Sequence, residues 1–353
     1  MTKILRRIVF FLFVAVFFIG APRIVFYALG YSYKPGSDNG LVKTGLIYLS
    51  TTPPGATVYV GGRRYHDTTP AIIRDLLPQT YPIKLMLKDY EIWAQDVPVE
   101  AAKASVLGKV LLHPKKPDWR VCLWDRYDDL VPVPDTKYLL LKKGNSPGGA
   151  QIFDWKEKKA KPASSENVKA QSFFKTKKIA DDEIFAVNGK GQFFLIESGE
   201  ILVNEGVLGF RYDKKNHKAV IWTQDSIGLA EMIKSKKEPG LVQKRVKLEW
   251  VFKQGQKISQ VFWAHDGAYV LFQDRSKVFM LELETFGAPS VYELLETKNE
   301  SHIFYSDESG ELFYLDKKIG NLMSVEVIPK WKVLEIPFAI LQEKEKEGKV
   351  ARL

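Results

Sequence analysis

After its first thirty residues, the chain is a succession of short runs in which apolar and polar residues alternate. The run "IKLMLK" (83–88) alternates around Ile83, Leu85 and Leu87. A period of two places every second side chain on the same face of a sheet, which is typical of β-strands. Glycine, proline, asparagine and aspartate separate the runs, as expected for turns. The pattern predicts a mainly β protein without a long amphipathic helix between residues 44 and 340.

The N-terminal segment has a different pattern, because residues 8–21 contain no charge. Three basic residues precede this block: Lys3, Arg6 and Arg7. About 20 apolar residues at roughly 1.5 Å rise cross the hydrocarbon core of a bilayer. Residues 8–29 reach that length if Arg23 lies at the outer interface. Residues 1–33 are therefore predicted to be a short cytoplasmic stub and a transmembrane anchor, followed by a flexible linker at 34–43.

A cleaved signal peptide is the alternative interpretation of the same segment, since a basic start and a short apolar block fit both. The cleavage site fits poorly, because Ile19 occupies a position that favours a small residue and Pro22 follows the cut. An uncleaved anchor is favoured. Either interpretation keeps the positive flank in the cytoplasm and exports the rest of the chain. The predicted location is the inner, cytoplasmic membrane of a bacterium, with the C-terminal bulk periplasmic or extracellular.

Residues 51–70, "TTPPGATVYVGGRRYHDTTP", contain a glycine pair beside two arginines, as a phosphate-binding loop would. No helix is predicted after Gly61 and Gly62, so the helix N-terminus that completes an anion site is missing. We interpret the glycines as turn residues on either side of the strand 57–60. Arg63 and Arg64 are predicted to be exposed at a hairpin, and His66-Asp67 to lie in a polar loop.

Several short motifs follow one another in the order found in the PEGA domain, named for a Pro-Glu-Gly-Ala sequence. In this chain they are Pro53-Pro54-Gly55-Ala56, Val60-Gly61-Gly62, Thr69-Pro70, Leu77-Pro78-Gln79-Thr80-Tyr81 and Lys88-Asp89-Tyr90. Pro54 replaces the glutamate of the family, and Gln79 replaces a glycine. Residues 44–114 thus resemble this family, which implies a small antiparallel β-sandwich on exported proteins. The family has no known catalytic residues to transfer.

Residues 118–340 contain strand-like runs with an approximate spacing of 40–60 residues between apolar hairpins. The stretch 257–285 resembles one blade of a WD-repeat-like or TolB-like β-propeller. Asp266 and Gly267 match the Trp-Ser-Pro-Asp-Gly turn of such blades, whereas Ala264 and His265 depart from it. At roughly 45 residues per blade the region predicts about five degenerate blades. A β-sandwich or an irregular open sheet is the alternative, and residues 341–353 are predicted to be a tail.

The net charge of +10 is concentrated, because residues 156–178 alone contain eight lysines and two glutamates. A nucleic-acid interface places arginines among aromatic residues on several elements. One lysine-rich run with proline and serine is more typical of a solvated loop. The sequence therefore predicts no nucleic-acid partner, while contact of this run with an anionic polymer or phospholipid stays open.

The residue types needed for catalysis or metal binding are scattered. A single cysteine, Cys122, excludes an internal disulfide and a four-cysteine zinc site, and the five histidines lack metal-ligand spacing. Three carboxylates lie close together, at Asp125, Asp128 and Asp129, but a Ca²⁺ loop needs more oxygen ligands at defined positions. The sequence therefore predicts no catalytic residue, no cofactor and no metal.

The first functional hypothesis is a non-enzymatic, membrane-anchored scaffold or binding protein of the bacterial cell envelope. Its partner would be an envelope protein or a glycan. The alternative is an extracytoplasmic hydrolase or lyase with its site in the propeller channel, which requires acidic or histidine side chains converging there. A third hypothesis, a sensor, requires a partner across the membrane, because only about seven residues precede the apolar block.

Overall fold

The computed structural model describes residues 3–28, 30–33, 40–133, 136–144, 150–162, 177–180, 183–196, 199–238 and 241–329. The chain divides into two compact units, Met1–Lys116 and Pro117–Leu353. The predicted fold class is confirmed, with one N-terminal apolar helix followed by antiparallel sheets of short strands. The predicted tail, residues 341–353, lies outside the described residues.

The first unit begins with helix α1 (Lys3–Ala28), which contains Pro22. Residues 9–26 form a stretch of this helix that is long and apolar enough to cross a membrane. Strands β1 (Tyr31–Tyr33) and β2 (Leu41–Lys43) follow and pair antiparallel. The last three residues of the predicted linker thus form a strand, and residues 34–39 lie outside the described residues.

The remaining strands of the first unit form two sheets. In chain order they are β3 (Gly45–Thr52), β4 (Thr57–Val60), β5 (Arg63–Thr68), β6 (Ala71–Leu76), β7 (Gln79–Met86), β8 (Trp93–Val99) and β9 (Ala104–Leu111). One sheet has the order β6-β3-β9 and the other β5-β4-β7-β8. Strict alternation of buried and partly exposed residues along β3 turns one face of its sheet inward. Ile47, Leu49, Val58 and Leu85 fill the core with no exposed surface.

The prediction of a purely antiparallel sandwich was wrong at one pair, because β3 and β9 are parallel. Parallel neighbours need a crossover connection rather than a hairpin. The chain provides it here by running through the second sheet, β5-β4-β7-β8, before it returns as β9. The alternation of residues along a strand carries no information on the direction of its neighbour.

The described residues of the second unit form five four-stranded sheets, which are the blades of the predicted propeller. Blade 1 is β11 (Asp129–Pro132), β12 (Tyr138–Lys142), β13 (Ala150–Asp154) and β14 (Lys159–Pro162); blade 2 is β15 (Lys177–Ala180), β16 (Glu183–Val187), β17 (Phe193–Leu195) and β18 (Ile201–Val203); blade 3 is β19 (Gly209–Asp213), β20 (Lys218–Trp222), β21 (Ile227–Glu238) and β22 (Leu241–Phe252); blade 4 is β23 (Ile258–Ala264), β24 (Tyr269–Asp274), β25 (Lys277–Glu282) and β26 (Val291–Glu296); blade 5 is β27 (Phe304–Ser306), β28 (Glu311–Leu315), β29 (Leu322–Glu326) and β10 (Trp119–Leu123). The first strands of neighbouring blades contact each other, β19 with β23 and β11 with β27. These first strands therefore form the inner ring of the propeller.

The ring is closed by the two ends of the second unit. Its first strand, β10, pairs antiparallel with β29 and becomes the outermost strand of blade 5. A buried cluster joins blades 5 and 1, and it includes Tyr127, Leu130, Phe153, Phe313 and Leu322. Most of these side chains have no exposed surface, so hydrophobic burial stabilises the closure directly.

Two predicted loops contain strands instead. His66 and Asp67 belong to β5, and the lysine-rich run 156–178 includes β14 and β15, with residues 163–176 outside the described residues. Strand β5 is at the edge of its sheet and β14 is the outermost strand of blade 1. Edge strands are exposed to solvent on more than one side, so polar and charged residues are common in them and hide the strand pattern.

Candidate binding site on the propeller

The predicted turn residues of the first unit lie where the sequence places them. Gly55, Gly61 and Gly62 all have positive φ angles, of 88°, 56° and 80°. Gly61 and Gly62 form the two-residue turn between β4 and β5, with Val60 paired to Arg63. No atom lies within 4 Å of a Cβ atom added at any of the three glycines, so a side chain would have room there. The positive φ angles of the backbone, and not a close contact, therefore favour glycine at these positions.

The other predicted turn residues connect two turns to each other. The Thr69 hydroxyl lies 2.5 Å from the hydroxyl of Thr51 and accepts a hydrogen bond of 3.0 Å from the N–H of buried Ala56. Pro53 and Pro70 follow Thr52 and Thr69 through cis peptide bonds. This arrangement holds the turn at 53–56 against the turn at 69–70, which is a structural role.

Asp266 and Gly267 form the turn between β23 and β24 in the second unit, with φ angles of 55° and 78°. This turn packs against the preceding blade. Asn216 donates a hydrogen bond of 2.9 Å from Nδ2 to the carbonyl of Asp266, and Lys215 Nζ lies 2.9 Å from an Asp266 carboxylate oxygen. A Cβ atom at Gly267 would lie 2.6 Å from Asn216 Nδ2, so the contact between blades 3 and 4 requires glycine.

The three clustered carboxylates point to separate basic side chains. Asp125 pairs with Lys143, Asp128 lies 2.8 Å from Lys298 Nζ, and Asp129 lies 2.9 Å from His302 Nδ1. The hydrogen bond from Lys298 lowers the pKa of Asp128. Burial opposes ionisation of Asp129, but the hydrogen bonds from His302 outweigh it and lower its pKa. In the part of the chain that the structure describes, no group of three His, Cys, Asp or Glu side chains could hold a metal ion.

Arg211 occupies the middle of β19, on the inner ring of the propeller. Its guanidinium carbon lies 4.1 Å from the ring centroid of Phe262 in β23, the inner strand of the next blade. This cation–π contact holds the cation over a buried aromatic face. The described residues provide no carboxylate and no side-chain hydrogen bond for this guanidinium, whereas the lysines near it in sequence, such as Lys215 and Lys218, have acidic partners.

The environment of Arg211 combines two properties that rarely occur together. Its side chain is accessible to solvent, yet burial lowers the pKa of its guanidinium to about 10. A side chain in a recess has both properties, since it is surrounded by protein atoms while its tip contacts water. The guanidinium remains protonated at neutral pH, so the recess contains a permanent positive charge.

Aromatic residues hold this recess in place. The indole N–H of Trp263 donates a hydrogen bond of 2.9 Å to the backbone carbonyl of Arg211. On the next inner strand, the ring of Tyr305 in β27 meets Phe262 edge to face, with 6.5 Å between centroids. Arg211 and Phe262 thus meet across blades 3 and 4, with Tyr305 of blade 5 against Phe262 and Trp263 bonded to the Arg211 backbone; we call this group the Arg211 recess.

The sequence analysis did not identify Arg211. The available signal was a single arginine in the centre of the short strand "GFRYD" (209–213). A lone charge in a strand is usually a solvated residue on an exposed face. Only the position of β19 on the inner ring distinguishes Arg211 from such residues.

A second notable feature is an exposed apolar pair on the loops of blade 5. The side chain of Trp124 is 81% exposed, and that of Ile319 is 58% exposed. The two segments that carry them are joined by a hydrogen bond of 3.0 Å from the N–H of Tyr127 to the carbonyl of Gly320. An exposed tryptophan near a second apolar residue is typical of binding surfaces.

Cys122 lies next to this region, in β10, and is free and partly buried. Burial raises the pKa of its thiol. The residue packs against the cluster between blades 5 and 1 from its edge.

Comparison with protein families adds one decisive observation. Residues 44–111 match the PEGA domain. This confirms the family resemblance of the first unit, with boundaries within a few residues of those predicted. Comparison with curated proteins gives no match.

Solved structures that are similar to the chain include propeller-like proteins at low identity and low TM-score. The β-propeller domain of Cps50 (Swd1) from Myceliophteria thermophila is 14% identical, with a TM-score of 0.32, and the match covers 70% of this chain and 79% of that one. An auxiliary nutrient binding protein from Bacteroides thetaiotaomicron is 11% identical, with a TM-score of 0.32 and coverage of 83% and 99%. A putative phosphatase from the same organism is 10% identical, with a TM-score of 0.33 and coverage of 80% and 94%. These low scores carry no argument about function.

The PEGA domain of this chain tolerates its departures from the family pattern for visible reasons. Pro54, in place of the glutamate, is exposed to solvent and makes no core contact that the exchange would remove. Asp89, which precedes Tyr90 where the family has glycine, adopts a positive φ of 66°. Aspartate is one of the few residues besides glycine that enter this region readily.

Proposed function

We propose that this protein is a membrane-anchored, exported binding or scaffold protein of the bacterial cell envelope, and that it has no catalytic role of its own. The PEGA domain would be its spacer or envelope-facing module. The propeller would bind a protein or glycan partner through its loops and its channel. A PEGA domain followed by a propeller supports a binding role, because both folds are frequently scaffolds for surface recognition.

The observation that carries this proposal is helix α1. Its apolar side chains are exposed, for example Phe13 at 70% and Phe18 at 70%. No residue of the stretch 9–26 is buried within the protein. Arg6 and Arg7 precede them, as in a segment oriented with its N-terminus in the cytoplasm. Such a helix is stable in a lipid bilayer and not in water.

The location can be tested with the full-length chain carrying a C-terminal epitope tag in a bacterial host. We expect the intact protein in the membrane fraction after an alkaline wash, and degradation of its C-terminal bulk by protease added to spheroplasts. Mass spectrometry should recover peptides from residues 8–28, since an uncleaved anchor retains them. The double substitution Phe13→Lys and Phe17→Lys is expected to release the protein from the membrane. Recovery of the wild-type protein in the soluble cytoplasmic fraction would overturn the proposal.

The binding role can be tested by photo-crosslinking in intact cells. A photoreactive amino acid is placed at Trp124 or Ile319, the exposed apolar pair, and at Val291, which is 40% exposed on blade 4 and serves as the control. We expect a discrete crosslinked species from the first two positions and not from the third. Identical patterns at all three positions, or no crosslink at any, would argue against a specific partner at this surface.

A further inference from the structure

We propose that the Arg211 recess binds the carboxylate of a small organic acid, either a free acid or the acidic terminal sugar of a glycan. This inference rests on the proposed binding role and specifies the chemistry of one site. It is carried by a cation on the inner ring that has an aromatic neighbour, solvent access and no anionic partner among the described residues.

The positive charge of Arg211 needs a partner. A charge removed from bulk water is stable only if it is paired or solvated by other groups. The face of Phe262 offsets part of this cost for Arg211 through its π electrons. A cation–π contact uses one face of the planar guanidinium and leaves its N–H groups, which point along the edge, free to donate. The described residues accept none of these hydrogen bonds, so a ligand can.

The shape and single charge of the guanidinium select the type of anion. The guanidinium presents two parallel N–H groups that match the two oxygens of a carboxylate. A phosphate group carries more charge, and its sites usually add a helix N-terminus or several basic side chains. The described part of the propeller has no helix. One fixed positive charge therefore fits a ligand group with one negative charge.

The position of Arg211 along β19 limits the size of the ligand. Arg211 is the third of five residues in β19, roughly 7 Å along the strand from either end. Phe262 lies against the guanidinium, and Tyr305 lies against Phe262. A thin ligand end can reach this depth more readily than the surface of a folded protein. This favours a small acid or a terminal sugar.

The test uses the full-length protein in detergent micelles at constant ionic strength. The probes are sodium acetate, sodium glucuronate and inorganic phosphate. D-Glucose, which lacks the carboxylate of glucuronate, is the uncharged control. Binding is followed by the indole N–H resonance of Trp263, which is identified with the variant Trp263→Phe. This N–H donates to the backbone of Arg211, so its chemical shift reports on the recess.

The variants are Arg211→Gln and Arg211→Lys, and the matched control is Arg126→Gln. Arg126 is an exposed arginine of the same unit, so its exchange changes the net charge equally. We expect Arg211→Gln to weaken carboxylate binding about tenfold or more, which is the effect of losing a charge-assisted hydrogen bond. Arg211→Lys should fold like the wild type and bind with intermediate strength, because lysine retains the positive charge but lacks the two parallel N–H groups of the guanidinium. Arg126→Gln should bind as the wild type does.

The probes also separate the two sources of the carboxylate. Similar affinities for acetate and glucuronate support recognition of the carboxylate alone, as in a free acid. A much higher affinity for glucuronate, with no binding of glucose, supports an acidic sugar. The proposal is overturned if neither acid shifts the Trp263 resonance, if Arg211→Gln binds like the wild type, or if phosphate binds more tightly than both acids.

Failure of this site and failure of the proposed function are distinguishable. If the Arg211 recess binds no carboxylate, the results expected from membrane fractionation and from crosslinking at Trp124 are unchanged. If the wild-type chain is found in the cytoplasm, the proposed function is wrong, but the ligand titrations still show whether Arg211 binds a carboxylate.

Discussion

In the part of the chain that the structure describes, the PEGA domain and the propeller are both closed by pairing of their first and last strands, but at different positions in the sheet. In the PEGA domain the first strand, β3, pairs in parallel with the last strand, β9. In the propeller the first strand, β10, pairs antiparallel with β29, the last described strand. Strand β3 lies in the centre of its sheet, between β6 and β9, whereas β10 is the outermost strand of blade 5.

The difference determines where each closure is stabilised. Ile47 and Leu49 on β3 have no exposed surface, so the closing strand of the PEGA domain is also its core. On β10, Trp119 is 42% exposed and none of its residues is fully buried. The propeller instead relies on packing between blades, including the cluster around Phe313 and the turn at Gly267. Closure in the core makes a small domain cooperative, while closure at the rim leaves stability distributed over several interfaces.

The largest expected effect is from Leu49→Ala in the centre of β3. Loss of a fully buried leucine leaves a cavity and costs about 3–4 kcal/mol. This is a large part of the stability of a domain of this size. Hydrogen exchange of peptides from residues 44–111 should show loss of protection throughout the PEGA domain. The propeller peptides should keep theirs.

The control for that experiment is Ile72→Ala on the outer face of the same sheet. Ile72 is 43% exposed and pairs with Tyr48 of β3. Its exchange should lower stability by less than about 1 kcal/mol. Equal losses from both variants would show that β3 is not the core of the closure.

The next effect in size is from Gly267→Ala, which tests packing between blades. The new Cβ atom would lie 2.6 Å from Asn216 Nδ2 and 2.7 Å from Asp213 Oδ2, at a φ of 78°. We expect a loss of about 2–3 kcal/mol, measured by denaturant unfolding and by exchange in blades 3 and 4.

Gly206→Ala, in the loop before β19, is the matched control. Its φ is 80°, close to that of Gly267, but no atom lies within 4 Å of the added carbon. It should cost only about 1 kcal/mol, from backbone conformation alone. If both alanine variants lower the free energy of unfolding equally, the contact of the turn at Gly267 with Asn216 contributes nothing to stability.

A pH dependence should appear in the PEGA unit at His113. Burial lowers the pKa of His113 from 6.5 to about 4. Between these values the unfolded chain binds a proton that the folded domain does not, so stability is complete above pH 6.5 and falls as the pH decreases to 4. The free energy of unfolding should fall by about 3 kcal/mol over this range, as measured by hydrogen exchange corrected for the intrinsic exchange rate.

The variant His113→Asn removes the titrating group and should flatten this dependence below pH 6.5. The propeller serves as the internal reference in the same samples. An unchanged slope in the variant would assign the acid sensitivity to another group.

The smallest effect is expected from Lys156→Gln at the rim of the ring closure. Lys156 Nζ lies 2.6 Å from a carboxylate oxygen of Glu308, so it connects blade 1 to blade 5, but both side chains are about half exposed or more. Exposed ion pairs contribute about 0.5 kcal/mol or less. A double-mutant cycle with Glu308→Gln measures the coupling; a value above 1 kcal/mol would mean that rim charges, and not the apolar cluster, hold the ring closed.

Much of the fold could be predicted because it depends on local patterns. Alternation in "IKLMLK" and the turn at Gly61-Gly62 are properties of a few consecutive residues, and the structure contains β7 and a two-residue hairpin there. The apolar block before residue 28 likewise specifies a helix without reference to the rest of the chain. Edge strands such as β5 were missed, since an edge tolerates polar residues on both faces.

The candidate site could not be predicted in the same way. Arg211, Phe262 and Tyr305 are separated by about fifty residues at each step, and each is unremarkable in its own segment. They become neighbours only because β19, β23 and β27 are the inner strands of adjacent blades.

The apolar N-terminal helix, the PEGA domain and a series of β-hairpins follow from local sequence, because hydrophobic period, charge and turn residues act over short distances. The fold adds that β3 and β9 are parallel, that β10 closes blade 5, and that Arg211 lies on the inner ring without an anionic partner among the described residues. Those features depend on which distant strands meet, and the free energy of such meetings belongs to the packed molecule and not to any one segment.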